Sequence, residues 1–136
     1  MTDYSPGESV RCRFLCVEDD KDNCEALAYI LRLSGYEVTT ADTVAEGLRL
    51  AREQTFDLII LDNRFKSSSG VELCRRIREF DSHTPILFYS AAAFETDIQQ
   101  GLSAGAQAYI VKPHFEEFKR AIAQFVKTGK DHPPPM

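Results

Sequence analysis

Asp57-Leu58-Ile59-Ile60-Leu61-Asp62 decides the fold. Leu58 to Leu61 is a short, uninterrupted apolar run, as expected for a strand covered on both faces. Asp62 ends it abruptly, and the polar loop Asn63-Arg64-Phe65-Lys66-Ser67-Ser68-Ser69-Gly70 follows. A charge where a buried strand meets a loop does little for stability. In an open parallel sheet, that edge is also where ligands bind. Taken singly, Asp62 reads equally well as an ordinary turn acid.

The same alternation of strand and helix extends in both directions. Upstream, Arg13 to Val17 predicts a first strand running into Glu18-Asp19-Asp20. A helix then carries Cys24, Leu27 and Leu31 at helical spacing, with Asp22 and Glu25 as a capping box and a stop at Gly35. Tyr36 to Thr40 predicts a weaker, edge-like strand. Thr43 and Glu46 open a second helix with Val44, Leu48 and Ala51 inward.

Downstream, Ser69 and Glu72 open a third helix with Leu73, Cys74, Ile77 and Phe80 inward. Pro85 to Tyr89 predicts the fourth strand, with proline first, where no ladder donor is needed. A fourth helix from about Ala91 to Ala104 is thin in large apolar residues. Its anchors are Ile98 and Leu102 with Phe94, it contains Gly101, and it is the element expected to move. Gln107 to Val111 is the fifth strand, ending at Lys112-Pro113. A fifth helix carries Phe115, Phe118, Ile122, Phe125 and Val126 on one stripe. Five such repeats predict an α/β domain, a parallel sheet with helices on both faces.

At 136 residues the chain suffices for one domain, placed here at residues 12–128. Residues 1–11, which lack an apolar signal core, are expected to be a flexible arm. Residues 129–136, with Pro133-Pro134-Pro135, are expected to be a disordered tail. A net charge of −5 argues against direct nucleic-acid binding through bulk electrostatics. The longest apolar runs, about five residues, fall far short of a membrane span. Cys12, Cys16, Cys24 and Cys74 form no C-x-x-C pair, and Cys12 and Cys16 would lie roughly 13 Å apart on one strand face. Buried thiols in a reducing cytoplasm are the plain reading.

The residues ending the strands carry the chemistry. Four of the five are distinctive: Asp19, Asp62, Ser90 and Lys112. In a parallel sheet all strand C-termini share one edge, so these distant residues form one row. If the first and third strands are neighbours, Asp19 and Asp62 can share a divalent ion, and Mg²⁺ suits oxygen ligands. If the fourth strand lies beside the third, Ser90 can hydrogen-bond a group built on Asp62. The Lys112 stem reaches the same place. A metal, a hydroxyl and a cation around one carboxylate nucleophile suit a phosphoryl group on Asp62. Each residue has a bland alternative. Asp19 or Asp20 can cap the first helix, Ser90 can cap the fourth, and Lys112 can be a solvated lysine.

With these residues in place, the chain from about Arg13 to Lys127 resembles the receiver domain of two-component response regulators. The likeness rests on Val17-Glu18-Asp19-Asp20, on Leu61-Asp62 with Gly70 eight positions later, on Tyr89-Ser90-Ala91, and on Tyr109-Ile110-Val111-Lys112-Pro113. It implies a flavodoxin-like, doubly wound sheet of order 2-1-3-4-5. It implies that Asp62 accepts a phosphoryl group from a histidine kinase or phosphotransfer protein. Mg²⁺ would be held by Glu18, Asp19, Asp62 and the backbone carbonyl of Arg64, with Glu18 acting through water.

Ser90 would swing toward the phosphoryl oxygen, Tyr109 would turn inward, and Lys112 would contact the acyl phosphate. Lys112-Pro113 would be a cis peptide. Without the family, Tyr109 reads simply as core or sheet surface. Phosphorylation would shift the face made by the fourth helix, fifth strand and fifth helix, which would control a downstream protein partner and is also the candidate homodimer face. The implied protein is a cytoplasmic signalling switch rather than an enzyme, free of membrane and direct nucleic-acid contacts.

This chain departs from the family at Lys66, where proline is usual, and at Arg64, a cation two positions past the nucleophile. Those departures keep alive a second reading, a receiver-like scaffold that binds partners without phosphorylation. An aspartate-nucleophile phosphatase would need a second acid where Arg64 stands, and a flavin carrier would need a phosphate loop where three acids stand.

Overall fold

The computed structural model describes residues 12–129. The expected arm (1–11) and the tail beyond Gly129 lie outside the described residues. The strands are β1 (Arg13–Val17), β2 (Glu37–Ala41), β3 (Leu58–Leu61), β4 (Ile86–Ser90) and β5 (Ala108–Val111). The helices are α1 (Lys21–Leu33), α2 (Val44–Glu53), α3 (Gly70–Arg78), α4 (Glu95–Ser103) and α5 (Phe115–Gly129). All strand pairs are parallel and the order is β2-β1-β3-β4-β5, as expected. The reversal of direction falls between β1 and β3, the place where such sheets bind ligands.

Between Arg13 at the start of β1 and Ser90 at the end of β4, the central strands are largely apolar because both faces are covered. Phe14, Cys16, Leu58, Ile60, Leu87 and Tyr89 pack with Leu31 of α1 and Phe118, Ile122 and Val126 of α5. Leu15, Val17, Ile59, Leu61, Ile86 and Phe88 pack on the other face with Leu50 of α2, Leu73, Cys74 and Ile77 of α3, and Ala104 after α4. The four cysteines are buried and none forms a disulfide. Burial pushes the thiols of Cys16, Cys24 and Cys74 up, in Cys74 to about 11, so they act as apolar packing.

The caps at Thr43 and Ser69 form as read: their hydroxyls accept the amides of Glu46 (3.0 Å) and Glu72 (3.1 Å). Elsewhere three readings need correction. α1 is capped by Asp20, whose Oδ1 accepts the Asn23 amide at 2.9 Å, and Asp22 sits inside the first turn. The chain leaves β1 so directly into α1 that the third acid, not the fifth residue on, meets the free amides. α3 ends at Arg78, so Phe80 lies past the helix and is 42% exposed, under the Arg52 guanidinium 5.2 Å from its ring. Its apparent place on the apolar stripe came from extending the period beyond the helix end.

The third correction is α4, which begins at Glu95 because β4 runs through Ser90 and a loop follows. Phe94 is its N-cap residue and 72% exposed, and Leu102 is 39% exposed, so neither anchors it. Gly101 is the buried residue of this helix, with Ile98 half-buried. α4 is therefore held by less apolar surface than its neighbours, as read, but through different residues.

Candidate functional site

The ends of β1, β3, β4 and β5 meet along one edge. Asp62 follows β3, and its amide donates to the Val17 carbonyl at 2.9 Å, which locks the two acidic strand ends side by side. One carboxylate oxygen from each of Glu18, Asp19 and Asp62 lies within 4.8 Å of the others. Glu18 is buried, while Asp19 and Asp62 are partly open. Octahedral Mg²⁺ with ligands at about 2.1 Å sets its oxygens roughly 3.0 to 4.2 Å apart, the same scale as the spacing of the trio. The donor set, carboxylate oxygen alone, is also the chemistry that a hard dication prefers.

Lys112 follows β5 and points into this cluster: its Nζ is 2.8 Å from Glu18 Oε1. Burial alone would lower the lysine. The Glu18 hydrogen bond and the charges of Glu18 and Asp62 outweigh it and hold the ammonium above the ordinary lysine range. Burial pushes Glu18 up, Asp62 adds to the push, and the bond from Lys112 pulls the other way without cancelling it.

Ser90, the last residue of β4, is fully buried behind Asp62. Its Oγ accepts the amides of Ala92 (3.1 Å) and Asn63 (3.3 Å), and the Asn63 amide also donates to Asp62 Oδ1 at 2.8 Å. Tyr109 of β5 lies inward, its ring stacked on Phe88 at 5.1 Å and 20°. Its hydroxyl donates to the Ala92 carbonyl at 2.7 Å and accepts from Asn63 Nδ2 at 3.2 Å. Burial pushes the phenol up, partly offset by the hydrogen bonds with Asn63 and Ser90. Lys112-Pro113 is cis, as the resemblance implied.

Arg64 is exposed, on a loop closed by an antiparallel bridge from Arg64 to Ser69. Lys66 stands where proline is usual, and its amide donates to Asp19 Oδ2 at 3.2 Å. Proline has no such donor, so the departure adds a contact to the acidic cluster. The residue that sequence reasoning passed over is Asn63, 7% exposed and bonded on every side. Its one legible signal was an amide side chain immediately after Asp62, where the preceding carboxylate had drawn the attention.

Comparison with known proteins agrees with this arrangement. A family model described as the response regulator receiver domain matches residues 14–123. The transcriptional regulatory protein AfsQ1 of Streptomyces coelicolor is 42% identical over 99 residues, covering 73% of this chain and 44% of that protein. The transcriptional regulatory protein PrrA of Mycobacterium tuberculosis is 43% identical over 101 residues, covering 74% and 43%. The chain thus spans less than half the length of these two relatives.

Among solved structures, a CheY-like response regulator receiver domain protein of Methanospirillum hungatei matches at a TM-score of 0.78 and 29% identity, covering 88% of this chain and 99% of that one. The response regulator TrrA of Thermotoga maritima, solved with Mg²⁺ and beryllofluoride, matches at 0.76 and 30%, covering 84% and 98%. With the sheet order, the acidic trio and the match over residues 14–123 in agreement, this chain belongs to the receiver domains of two-component response regulators.

Proposed function

We propose that this domain, residues 12–128, is a phosphoacceptor switch in which Asp62 takes a phosphoryl group from the phosphohistidine of a kinase or phosphotransfer protein. A carboxylate oxygen of Asp62 attacks phosphorus, the bond to the imidazole nitrogen breaks, and an acyl phosphate forms. Mg²⁺ held by Glu18, Asp19, Asp62 and the Arg64 carbonyl would offset charge on the phosphoryl oxygens. Lys112 leaves Glu18 for the new anion, and Ser90 turns its hydroxyl from the Asn63 and Ala92 amides to the same group. Tyr109 and α4 carry the change to the α4-β5-α5 face, where a downstream protein, or a second copy, reads it.

One observation carries this reading: three carboxylates within 4.8 Å, with an ammonium 2.8 Å from one of them, at the sheet's reversal point. Such a cluster is costly when empty and suits a dication with a transient anion. The domain acts as a signalling switch in the cytoplasm rather than as a metabolic enzyme. The relatives are named as transcriptional regulators, and this chain spans less than half of AfsQ1 and PrrA.

Incubation with Mg²⁺ and acetyl phosphate tests the reading by mass spectrometry. The expected result is one added phosphoryl group, lost in Asp62→Asn and on chelation. A protein that stays unmodified while Mg²⁺ binds would support the phosphorylation-independent scaffold instead.

A further inference from the structure

We infer that Asn63 is a positioning residue that holds Tyr109 inward before any phosphoryl group arrives. The inference rests on the reading of Tyr109 as the element that reports phosphorylation. Asn63 sits immediately after Asp62 and bonds through all its polar groups. Its amide N–H serves Asp62 Oδ1 at 2.8 Å and Ser90 Oγ at 3.3 Å. Its carbonyl accepts the Gly70 amide at 3.0 Å, and its Oδ1 accepts the Val71 amide at 3.3 Å. Both donors belong to the first turn of α3, so the side chain is fixed at its root by the helix end.

The remaining group, Nδ2, donates to the Tyr109 hydroxyl at 3.2 Å. That hydroxyl in turn donates to the Ala92 carbonyl at 2.7 Å, so the ring is clamped between the loop after β3 and the loop after β4. The approach that makes this reach work is tight. A Cβ at Gly70 would collide with the Asp62 carbonyl oxygen and lie 3.0 Å from Asn63 Cα, so glycine alone lets α3 begin against Asn63.

An inward Tyr109 with Asn63 turned outward would leave a buried amide unpaired, and an outward Tyr109 would strand Nδ2. The two side chains are therefore stable together in one arrangement. One net hydrogen bond of about 1 kcal/mol corresponds to roughly fivefold in the ratio of inward to outward Tyr109. Phosphorylation then acts on a switch that this residue has already biased, and raises the inward population from a high base.

The experiment is fluorine NMR of the full chain labelled with 3-fluorotyrosine, with the Tyr109 resonance assigned by Tyr109→Phe. In the parent, Mg²⁺ and beryllofluoride should move that resonance little. In Asn63→Leu it should start displaced, by a several-fold rise in the outward population, and return toward the parent position on adding the same pair. A merely structural role would lower stability and leave the Tyr109 position unchanged. If Asn63→Leu folds poorly, Asn63→Ser shortens the side chain and removes the same donor.

Coincident Tyr109 resonances in the parent and both variants, without beryllofluoride, overturn the inference. A resonance displaced in the variant but unmoved by bound beryllofluoride supports the hold by Asn63. That same result defeats the reading of Tyr109 as the reporter.

Discussion

Gly101→Ala tests the inward placement of Tyr109 from the opposite side. Gly101 is in the interior of α4, where alanine would ordinarily gain about 1 kcal/mol of helix propensity. Here a Cβ would lie 2.8 Å from Tyr109 Cδ2, 3.1 Å from Tyr109 Cε2 and 3.1 Å from Phe88 Cε2. Overfilling a packed site costs roughly 1–3 kcal/mol. The alternative, driving Tyr109 outward, forfeits the bonds to Ala92 and Asn63 at about 1 kcal/mol each. By either route Gly101→Ala should be neutral to about 2 kcal/mol destabilising. In a Tyr109→Ala background the ring is gone, and the same change should stabilise by up to about 1 kcal/mol. Urea unfolding of the parent, both single variants and the double variant gives the coupling, expected near 1–3 kcal/mol. A gain of about 1 kcal/mol in both backgrounds would refute the packing of the ring over Gly101.

Lys112→Met removes the ammonium 2.8 Å from Glu18 and leaves the acids facing one another, so metal-free stability should fall by about 2–4 kcal/mol in urea melts and recover substantially in Mg²⁺. An equal loss with and without Mg²⁺ would count against the shared charge balance. Burial, with Asp62, raises Glu18 in the folded state, so its contribution is full below the unfolded value near 4.3 and is lost as pH rises through the folded value. Metal-free protein should therefore lose stability over that window, and Glu18→Gln should flatten the slope in urea melts run in chelator; parallel curves would show that Glu18 does not titrate this way. Arg64→Ala should change the lifetime of the acyl phosphate several-fold, because Arg64 is the exposed cation nearest the nucleophile in sequence; decay of the phosphoprotein followed by mass spectrometry checks it, and equal lifetimes would refute it.

The sheet was legible because burial on both faces writes a continuous apolar run, and β1 and β3 were read to the residue from such runs. Strand ends were legible in turn because a polar residue closes each run, and that put Asp62, Ser90 and Lys112 on one edge before any coordinates. What the pattern did not carry was contact chemistry. The helix with few large residues was recognised as weakly held, but Phe94 was credited with an anchoring role because apolarity alone does not say whether a residue lies before or inside a helix. Asn63 escaped for a related reason. A buried amide is defined by the groups around it, and besides its neighbour Asp62 those come from β4, β5 and α3. Gly101 was read as a weakness of α4, whereas its missing Cβ is the space that Tyr109 occupies.

The two halves of the site oppose each other in a way that explains their adjacency. Three carboxyl groups converge on the site, and among the described residues the Lys112 ammonium reaches them, a set that a dication would complement better than an anion would. On the proposed function, a dication held there would offset the carboxylates and leave the pocket receptive to a phosphoryl group. The Tyr109 side is uncharged: its hydroxyl meets an amide and a carbonyl, and its ring meets Phe88 and the bare backbone of α4. On that reading the charged side would respond to metal and phosphate, while the neutral side would set how far the switch is already turned. Asn63 touches both, since its amide bonds Asp62 and Ser90 while its side chain bonds Tyr109. On the proposed function, a change at Asp62 that pulls Ser90 off that amide would bear directly on the residue whose side chain donates to the tyrosine hydroxyl.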